Sequence, residues 1–416
     1  TSSNQVRLTT GEDPEKGEIG IEPLQKISSY FDEYPDFNLR TLLSRVPKVV
    51  QGCLLRGNFS IHREPGESAF EAVQDVPTKE RDALATYLNS EAIQQEPRPT
   101  PEDVVIDFFE PLRENGLDQA EADTQLSWIE ENYPTLIEQL RTRSPHLPDE
   151  ESVFEKRKSL SSSPDNDRDR KFWWLFGRPR PEMRNDWEGV RNVTIFQRVA
   201  KVWTPHRLPK RLDLPGNHGS LRICPMDKLL VAAQFKETHL AVSSCFLFEM
   251  FTRRRCGTLE TRLNFSPTDV FPFFPWPWEP KVEGSSLTIG EPSNHVEQSL
   301  SSAIEDLLDV RTDILENPSS HGLTRSQIGG PTDLYNLYDA NPEADDAPVG
   351  AGTSSIEQLR RAHVDLLDAV LRAYGWDDIA GDLSREDWTF DRPWLDRTLR
   401  FVPPESVRAE LFDRLD

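Results

Sequence analysis

From Phe271 to Pro280 the chain reads FPFFPWPWEP, and neither a regular helix nor a central strand can pass through it. Pro272, Pro275, Pro277 and Pro280 withhold backbone donors and fix φ. The segment therefore ends a domain. With 416 residues the chain exceeds what one small core organises, so two or three folding units are expected. The pattern divides it into a polar connector with one short helix (1–46), a mixed α/β domain (47–280) and a helical domain (281–416). The expected fold class is α+β.

Within 47–280 the apolar period changes repeatedly. Gly52 and Gly57 bracket a turn-rich apolar piece, GCLLRGNF, and EAVQDVPTKERDALATYLNSEAI has helical spacing. VVIDFF, Val104 to Phe109, is β-branched and aromatic between Pro101 and Pro111, which reads as a buried strand. Ala120 to Leu140 reads as helix, and SSSPDNDRDR, Ser161 to Arg170, as a polar loop. From Asn192 the residues alternate, with Val193, Ile195, Val199 and Trp203 on one face and Thr194 and Arg198 out of phase, as in a half-exposed strand or a bent strand pair. In THLAVSSCFLFEMFTRRR, Leu240, Ser243, Leu247 and Phe251 fall at helical spacing. Beyond Pro280, SLSSAIEDLLDVRTDIL and SSIEQLRRAHVDLLDAVLRAYGW predict helices. Ile356, Leu359, His363, Leu366, Leu367 and Val370 share a face of the second, so His363 reads as a core or boundary histidine rather than a ligand. DANPEADDAPVGAGTSS between them is an acidic loop.

The formal net charge is -23, from 71 acidic and 48 basic residues, and only 12 of the latter are lysines. Such a surface stays hydrated where salt screens long-range repulsion, which suits a halophilic host. Locally the sign reverses. Arg168 to Arg255 holds 18 Lys and Arg against 8 Asp and Glu, a balance of +10, leaving -33 on the remainder. A contiguous basic third suits a surface that meets an anionic polymer, and also a basic unit docking on acidic neighbours in its own chain. Its most concentrated stretch is RKFWWLFGRPRPEMR, Arg170 to Arg184, and Trp173, Trp174, Trp187 and Trp203 all lie in the same third. Adjacent tryptophans bury large areas, so Trp173 and Trp174 read as core, and the arginines beside them are the better contact candidates. Arg253, Arg254 and Arg255 end a helical pattern, where cations complement the helix dipole as readily as they meet phosphate.

No P-loop, GxGxxG, HExxH, GxSxG or kinase motif set occurs, so no catalytic residue and no metal site is assigned. The nearest approach to the Asn/Asp-Pro-Pro-aromatic tetrad of amino-methyltransferases is Asn317-Pro318-Ser319-Ser320. It lacks the second proline and the ring that clamps a flipped base, and reads as a helix-terminating loop. Cys53, Cys224, Cys245 and Cys256 have no two-residue spacing and no histidines at ligand spacing, and read as reduced thiols. Apolar stretches such as Leu229 to Ala233 are too short to cross a bilayer, so a cytoplasmic protein without membrane contact is expected. The chain opens on Thr1 without an apolar leader, and is expected to be a fragment of something longer or a separate subunit.

Taken in order, ATYLNSEAI, VVIDFF, DRKFWWLFGRPRPEMR and HLAVSSCFLFEMFTRRRCGTLETRLNFSPTDVFPFFPWP resemble the target-recognition region of MmeI-like (type IIL) restriction-modification enzymes and related adenine-specific DNA methyltransferases. GLTRSQIGGPTDLYNLYD and LRRAHVDLLDAVLRAYGWDD resemble the helical segment that follows that region in the same family. The likeness runs from about Pro47 to the C-terminus. It implies a reader of double-stranded DNA, with Arg168, Arg170, Lys171, Arg178, Arg180, Arg184, Arg253, Arg254 and Arg255 on backbone phosphates and Glu260 and Arg262 reading bases. A carboxylate accepts from cytosine's amino group and an arginine grips guanine O6 and N7, so the two suit one C·G pair; they equally suit a cross-strand ion pair. In the family a methyltransferase domain holding S-adenosylmethionine, and in some members a nuclease domain, precede this region, and neither has a counterpart here. The resemblance therefore assigns cofactor and adenine N6 methylation to a partner methyltransferase domain or subunit. A non-catalytic scaffold of a phage-defence complex is the other reading.

Overall fold

The computed structural model describes residues 5–10, 19–24, 49–96, 103–214, 219–233, 235–259, 262–271, 273–278, 281–283, 286–288, 292–380, 383–394 and 398–415. The architecture is α+β with a helical C-terminal region. In the N-terminal stretch β1 (Gln5–Thr10) pairs antiparallel with β2 (Ile19–Leu24), and the rest of 1–46, where a short helix was expected, lies outside the described residues.

Two four-stranded sheets build the first part. One has the order β5-β4-β10-β9, from Asp103–Ile106, Leu84–Leu88, Ser220–Pro225 and Arg211–Asp213. Its β4 and β10 run parallel and its other pairs antiparallel. The second is antiparallel throughout in the order β3-β11-β6-β8, from Val49–Gln51, Leu229–Ala232, Asn192–Gln197 and His206–Pro209. A short β7 (Val199–Ala200) continues from β6 into a three-stranded sheet with β13 (Arg262–Asn264) and β12 (Thr258–Leu259).

The sheet containing β6 and β11 is a wall between two cores. Side chains alternate across a strand, so one face of β6 and β11 sends Val193, Ile195, Leu229 and Val231 into a core shared with Trp173 and Trp174. The opposite face sends Phe196, Leu230 and Ala232 into a second core. The alternation from Asn192, read as half-exposed, is thus covered on both sides. Two of its polar members are sheltered: Thr194 and Gln197 are buried, and Gln197 Nε2 donates to the Ser90 carbonyl at 3.1 Å, while Asn192 and Arg198 at its ends are exposed.

The second core runs without interruption from β6 to the C-terminal helices and includes Phe271, Phe274 and Trp278 of the proline-rich segment. Trp276 stacks on Phe271 with 13° between ring planes and on Trp278 with 28°. The pattern Leu240–Phe251 forms two helices, Glu237–Ser244 and Phe246–Arg255, divided at Cys245, whose ψ of 160° is extended. Both are buried almost all round because they lie between the wall and the long helices Asn294–Glu316 and Ser354–Ala373. Those two pack through Leu300, Ile304 and Leu307 on one and Ile356, Leu359 and Leu366 on the other. Arg360, fully buried, donates to the carbonyls of Leu337, Tyr338 and Ala340, and so closes the C-terminal end of the helix Pro331–Tyr338. Asn317-Pro318 ends the helix Asn294–Glu316 in a single 3₁₀ turn, Pro318–His321. Two ribbons, β14–β15 (Lys281–Glu283, Ser286–Thr288) and β16–β17 (Thr389–Asp391, Arg400–Val402), interrupt the helical region.

Three expectations change. The helix expected over 71–93 is broken by Pro77 and contains β4, because LATYL is apolar on successive residues and its burial in the sheet decides between two periods that both fit. Ala120–Leu140 is two helices, Ala122–Asn132 and Pro134–Arg141, parted at Tyr133 before the proline. Ser161–Arg170, expected as a loop, contains the helix Pro164–Lys171. Ser163 caps it by accepting from Asn166 N, Pro164 opens it, Asp165 and Asp167 lie in its first turn and Arg168, Arg170 and Lys171 in its last, an order that suits the helix dipole; Asp169, in the last turn against that order, is buried and paired with Arg157 and Arg56. Among the described residues no helix is long and apolar enough to cross a membrane, and no group of His, Cys, Asp and Glu is placed to hold a metal ion. All four cysteines are free and buried.

Candidate nucleic-acid interface

Much of the basic third is an internal framework. Asp169, buried, is ion-paired with Arg157, whose Nη1 lies 2.8 Å away, and accepts from Arg56 Nη1 at 3.1 Å, and Arg157 also donates to the carbonyls of Leu55 and Leu175. Trp173 and Trp174 are buried beside this knot with ring centroids 5.8 Å apart. Arg184, expected on phosphate, is 6% exposed. Its Nη1 lies 2.8 Å from Asp107 and 3.5 Å from Glu110, and its Nε donates to the Pro179 carbonyl at 2.9 Å. Burial opposes its charge, but Asp107, the Cys53 and Cys224 sulfurs and Glu110 outweigh that and hold its pKa above the ordinary arginine value. A phosphate could reach it only by stripping Asp107 of its counterion, so Arg184 leaves the set of contact residues.

The remaining expected contacts fall in three places. Arg170 donates to the Leu160 carbonyl at 2.6 Å and pairs with Asp167, while Lys171 pairs with Glu121 at 3.0 Å; both face the flank of the helix Pro164–Lys171. Arg253, Arg254 and Arg255 lie over the rings of Trp394, Phe412 and Phe273 at 5.3–5.4 Å, and Arg253 also pairs with Glu249, so the first two pack on the C-terminal region and the third on the proline-rich segment. Glu260 lies outside the described residues.

The third place gathers cations from separate parts of the chain at the end of the wall where β6 leaves and β11 begins. Arg198 N donates to the Lys228 carbonyl at 2.9 Å, one register step beyond the Gln197–Leu229 pair, so two exposed cations stand as cross-strand neighbours. Phe265 N donates to the Arg198 carbonyl at 2.7 Å, which ties β13 to the same end. Arg262 opens β13, is exposed, and has no partner for its guanidinium among the described residues. Lys201 follows Ala200, the register partner of Leu263, and therefore runs alongside Arg262; its Nζ donates to the neutral Asn336 side chain at 3.1 Å and has no carboxylate partner among the described residues. On the other flank the Gln51 amide donates to the Asp227 carbonyl at 2.6 Å and accepts from Arg180 Nη2 at 2.8 Å. Arg178, two residues earlier, is exposed and without a side-chain partner among the described residues, and Arg168 Nη1 rests on the adjoining Gly177 carbonyl at 2.8 Å.

Arg180, Lys228 and Arg198 thus stand at one end of three neighbouring strands, in a row flanked by Arg178 and Arg168 on one side and by Arg262 of the adjoining small sheet on the other; within it Arg180 stands 3.6 Å from Glu182 and Arg168 3.9 Å from Asp169. Close backbone contact makes it possible: a Cβ on Gly52 would sit 2.1 Å from the Met226 carbonyl oxygen, so only glycine lets β3 approach the turn that carries Lys228. Sequence reasoning had not assigned Arg198 and Lys228 to the site. The signal for Arg198 was its place out of phase at the end of an apolar alternation; Lys228 sits in a turn, and only the strand register brings it to Arg198.

The sequence matches no protein-family profile and no curated protein. Among solved structures the chain is similar to a Type IIL restriction-modification enzyme, MmeI, in complex with DNA, with a TM-score of 0.48 and 12% identity over 90% of this chain. This chain spans 39% of the length of that one, and the relation is a loose one.

Proposed function

We propose that this chain is the sequence-reading part of an adenine-specific DNA methyltransferase or restriction-modification enzyme, and that it docks on duplex DNA through the row from Arg168 to Arg262. The supporting observation is the Arg198–Lys228 pair. Like charges at neighbouring cross-strand positions repel, no carboxylate lies within ion-pair distance of either among the described residues, and a phosphate between them would relieve the repulsion. In this reading Arg262, at the start of β13, reaches base edges together with Glu260. S-adenosylmethionine belongs to a methyltransferase part outside this chain. No methyl-transfer step is assigned to these residues.

Fluorescence anisotropy with a short duplex tests the reading. Affinity is expected to fall steeply with salt, and the double substitution Arg198→Gln/Lys228→Gln to lower the slope of log K against log[salt] by about 2, close to one unit per lost phosphate contact. Arg262→Ala is expected to cost about 1–3 kcal/mol at one base position only; an equal loss on every sequence makes Arg262 a phosphate contact instead. Absence of binding even at low salt favours the scaffold reading, in which the same row meets an acidic protein.

A further inference from the structure

We propose a second anion site, built for a phosphate group, in the cleft between β9, the beginning of β10 and the 3₁₀ segment Thr78–Ala83. It stands apart from the row described above, at the opposite end of β10 from Lys228, and does not depend on the DNA reading.

The cleft encloses about 320 Å³ and receives three guanidinium groups, those of Arg81, Arg211 and Arg222. Arg211 and Arg222 are direct register partners in the antiparallel β9–β10 pair. Two like charges facing each other across a ladder destabilise a sheet unless something negative lies between them. All three forks are oriented by main-chain carbonyls, which fix direction without cancelling charge. Arg211 Nη2 donates to the Ser220 carbonyl at 2.6 Å, and Arg222 Nη2 to that of Asp82 at 2.5 Å. Arg81 donates to Val76 and Gln74 carbonyls, both at 2.9 Å. The nearby carboxylates are only in part available to neutralise them. Asp82 accepts the Tyr133 hydroxyl at 2.9 Å, Glu110 is held by Arg113 at 2.7 Å and stands 3.8 Å from Arg222, and Glu114 lies exposed at the rim. Burial at the cleft, and then Arg222, push the Arg211 pKa down, as expected of a cation lacking its counterion.

The chemistry selects phosphate over carboxylate. Three guanidinium groups arriving from separate elements need acceptors on at least three sides; a carboxylate offers two oxygens in one plane, a phosphate a tetrahedron of them. β9 is the edge strand of its sheet, so the ligand enters from solvent.

The test is calorimetric titration of the full chain with inorganic phosphate at low millimolar concentration, against chloride at matched ionic strength, paired with thermal melts. A single saturable site is expected. Arg211→Gln is expected to weaken phosphate binding at least about tenfold and to raise the melting temperature of the ligand-free protein, because the cross-strand repulsion is gone. Arg211→Lys keeps the charge and loses the fork, and is expected to bind phosphate at an intermediate strength with no gain in melting temperature. No saturable binding to the unmodified chain, or equal binding by Arg211→Gln, overturns the proposal. Duplex binding by Arg211→Gln then separates two sources of the same chemistry: unchanged DNA affinity with lost phosphate binding identifies a free phosphorylated ligand, and reduced DNA affinity with competition by inorganic phosphate identifies a second contact to the nucleic-acid backbone.

Discussion

Arg184→Met is expected to cost about 3–5 kcal/mol of folding free energy while leaving the DNA affinity of the folded fraction unchanged. The cost comes from what stays behind. Asp107 has a side chain 1% exposed and takes its closest cation from Arg184, and Glu110, 11% exposed, shares it. Methionine fills most of the volume but leaves Asp107 facing an apolar interior, while Glu110 keeps Arg113 at 2.7 Å. The alternatives for Asp107 are to bind a proton or to open the core to water, and each is unfavourable at neutral pH. Urea denaturation gives the first half of the result, and anisotropy normalised to folded protein the second. Normal stability with lost affinity would return Arg184 to the phosphate contacts.

The fold is expected to lose about 2 kcal/mol between pH 6.5 and pH 5. His363 donates to or accepts from the Tyr335 hydroxyl at 2.8 Å, and burial, then the nearby Arg311, bring its pKa from 6.5 down to about 3. Burial and Arg311 likewise drive His206 well below its ordinary value. Both rings are neutral in the fold and become charged on unfolding, so their contribution is complete above pH 6.5 and drains away as pH falls toward the folded value, at about 1.4 kcal/mol per unit for each. Asp339 works in the opposite sense. Burial raises it from 3.8 to about 6 against the pull of Arg400, so it keeps a proton in the fold that it loses on unfolding, and its contribution is complete below 3.8 and lost as pH rises through about 6. Two histidines against one carboxyl leave a net loss on acidification. His363→Gln is expected to reduce the loss over the same interval to about 0.5 kcal/mol, measured as the difference between denaturation free energies at the two pH values. A stability that rises on acidification would mean that Asp339 dominates and that the histidines are not neutral in the fold.

The legible parts of the sequence were those where one local pattern had one structural solution. The helical face from Ile356 to Val370 is a helix, and His363 lies in its packing interface. The tryptophans at 173 and 174 are core. Patterns with two solutions were not legible. LATYL is continuous in apolar character, and only the parallel partner β10, more than a hundred residues away, makes it a strand. SSSPDNDRDR has no apolar face, and its helix rests on a serine cap and on charge order rather than on burial. The site divided in the same way. Composition located a basic third but could not say which guanidinium groups turn inward, because Arg157, Arg184 and the exposed Arg178 are alike in sequence and differ only in whether Asp169 or Asp107 lies opposite. Arg198 and Lys228 become neighbours through register alone.

Because the sheet of β6 and β11 is gripped on both faces, its strands cannot slide. A slip of one residue would drive Phe196 toward the tryptophans and leave Val193 and Ile195 among the phenylalanines, a misfit on two sides at once. The spacing between Arg198 and Lys228 is therefore set before any ligand arrives. When an anionic surface meets this edge, the main chain has little freedom left to surrender, and the entropic toll of association falls on a few side-chain torsions.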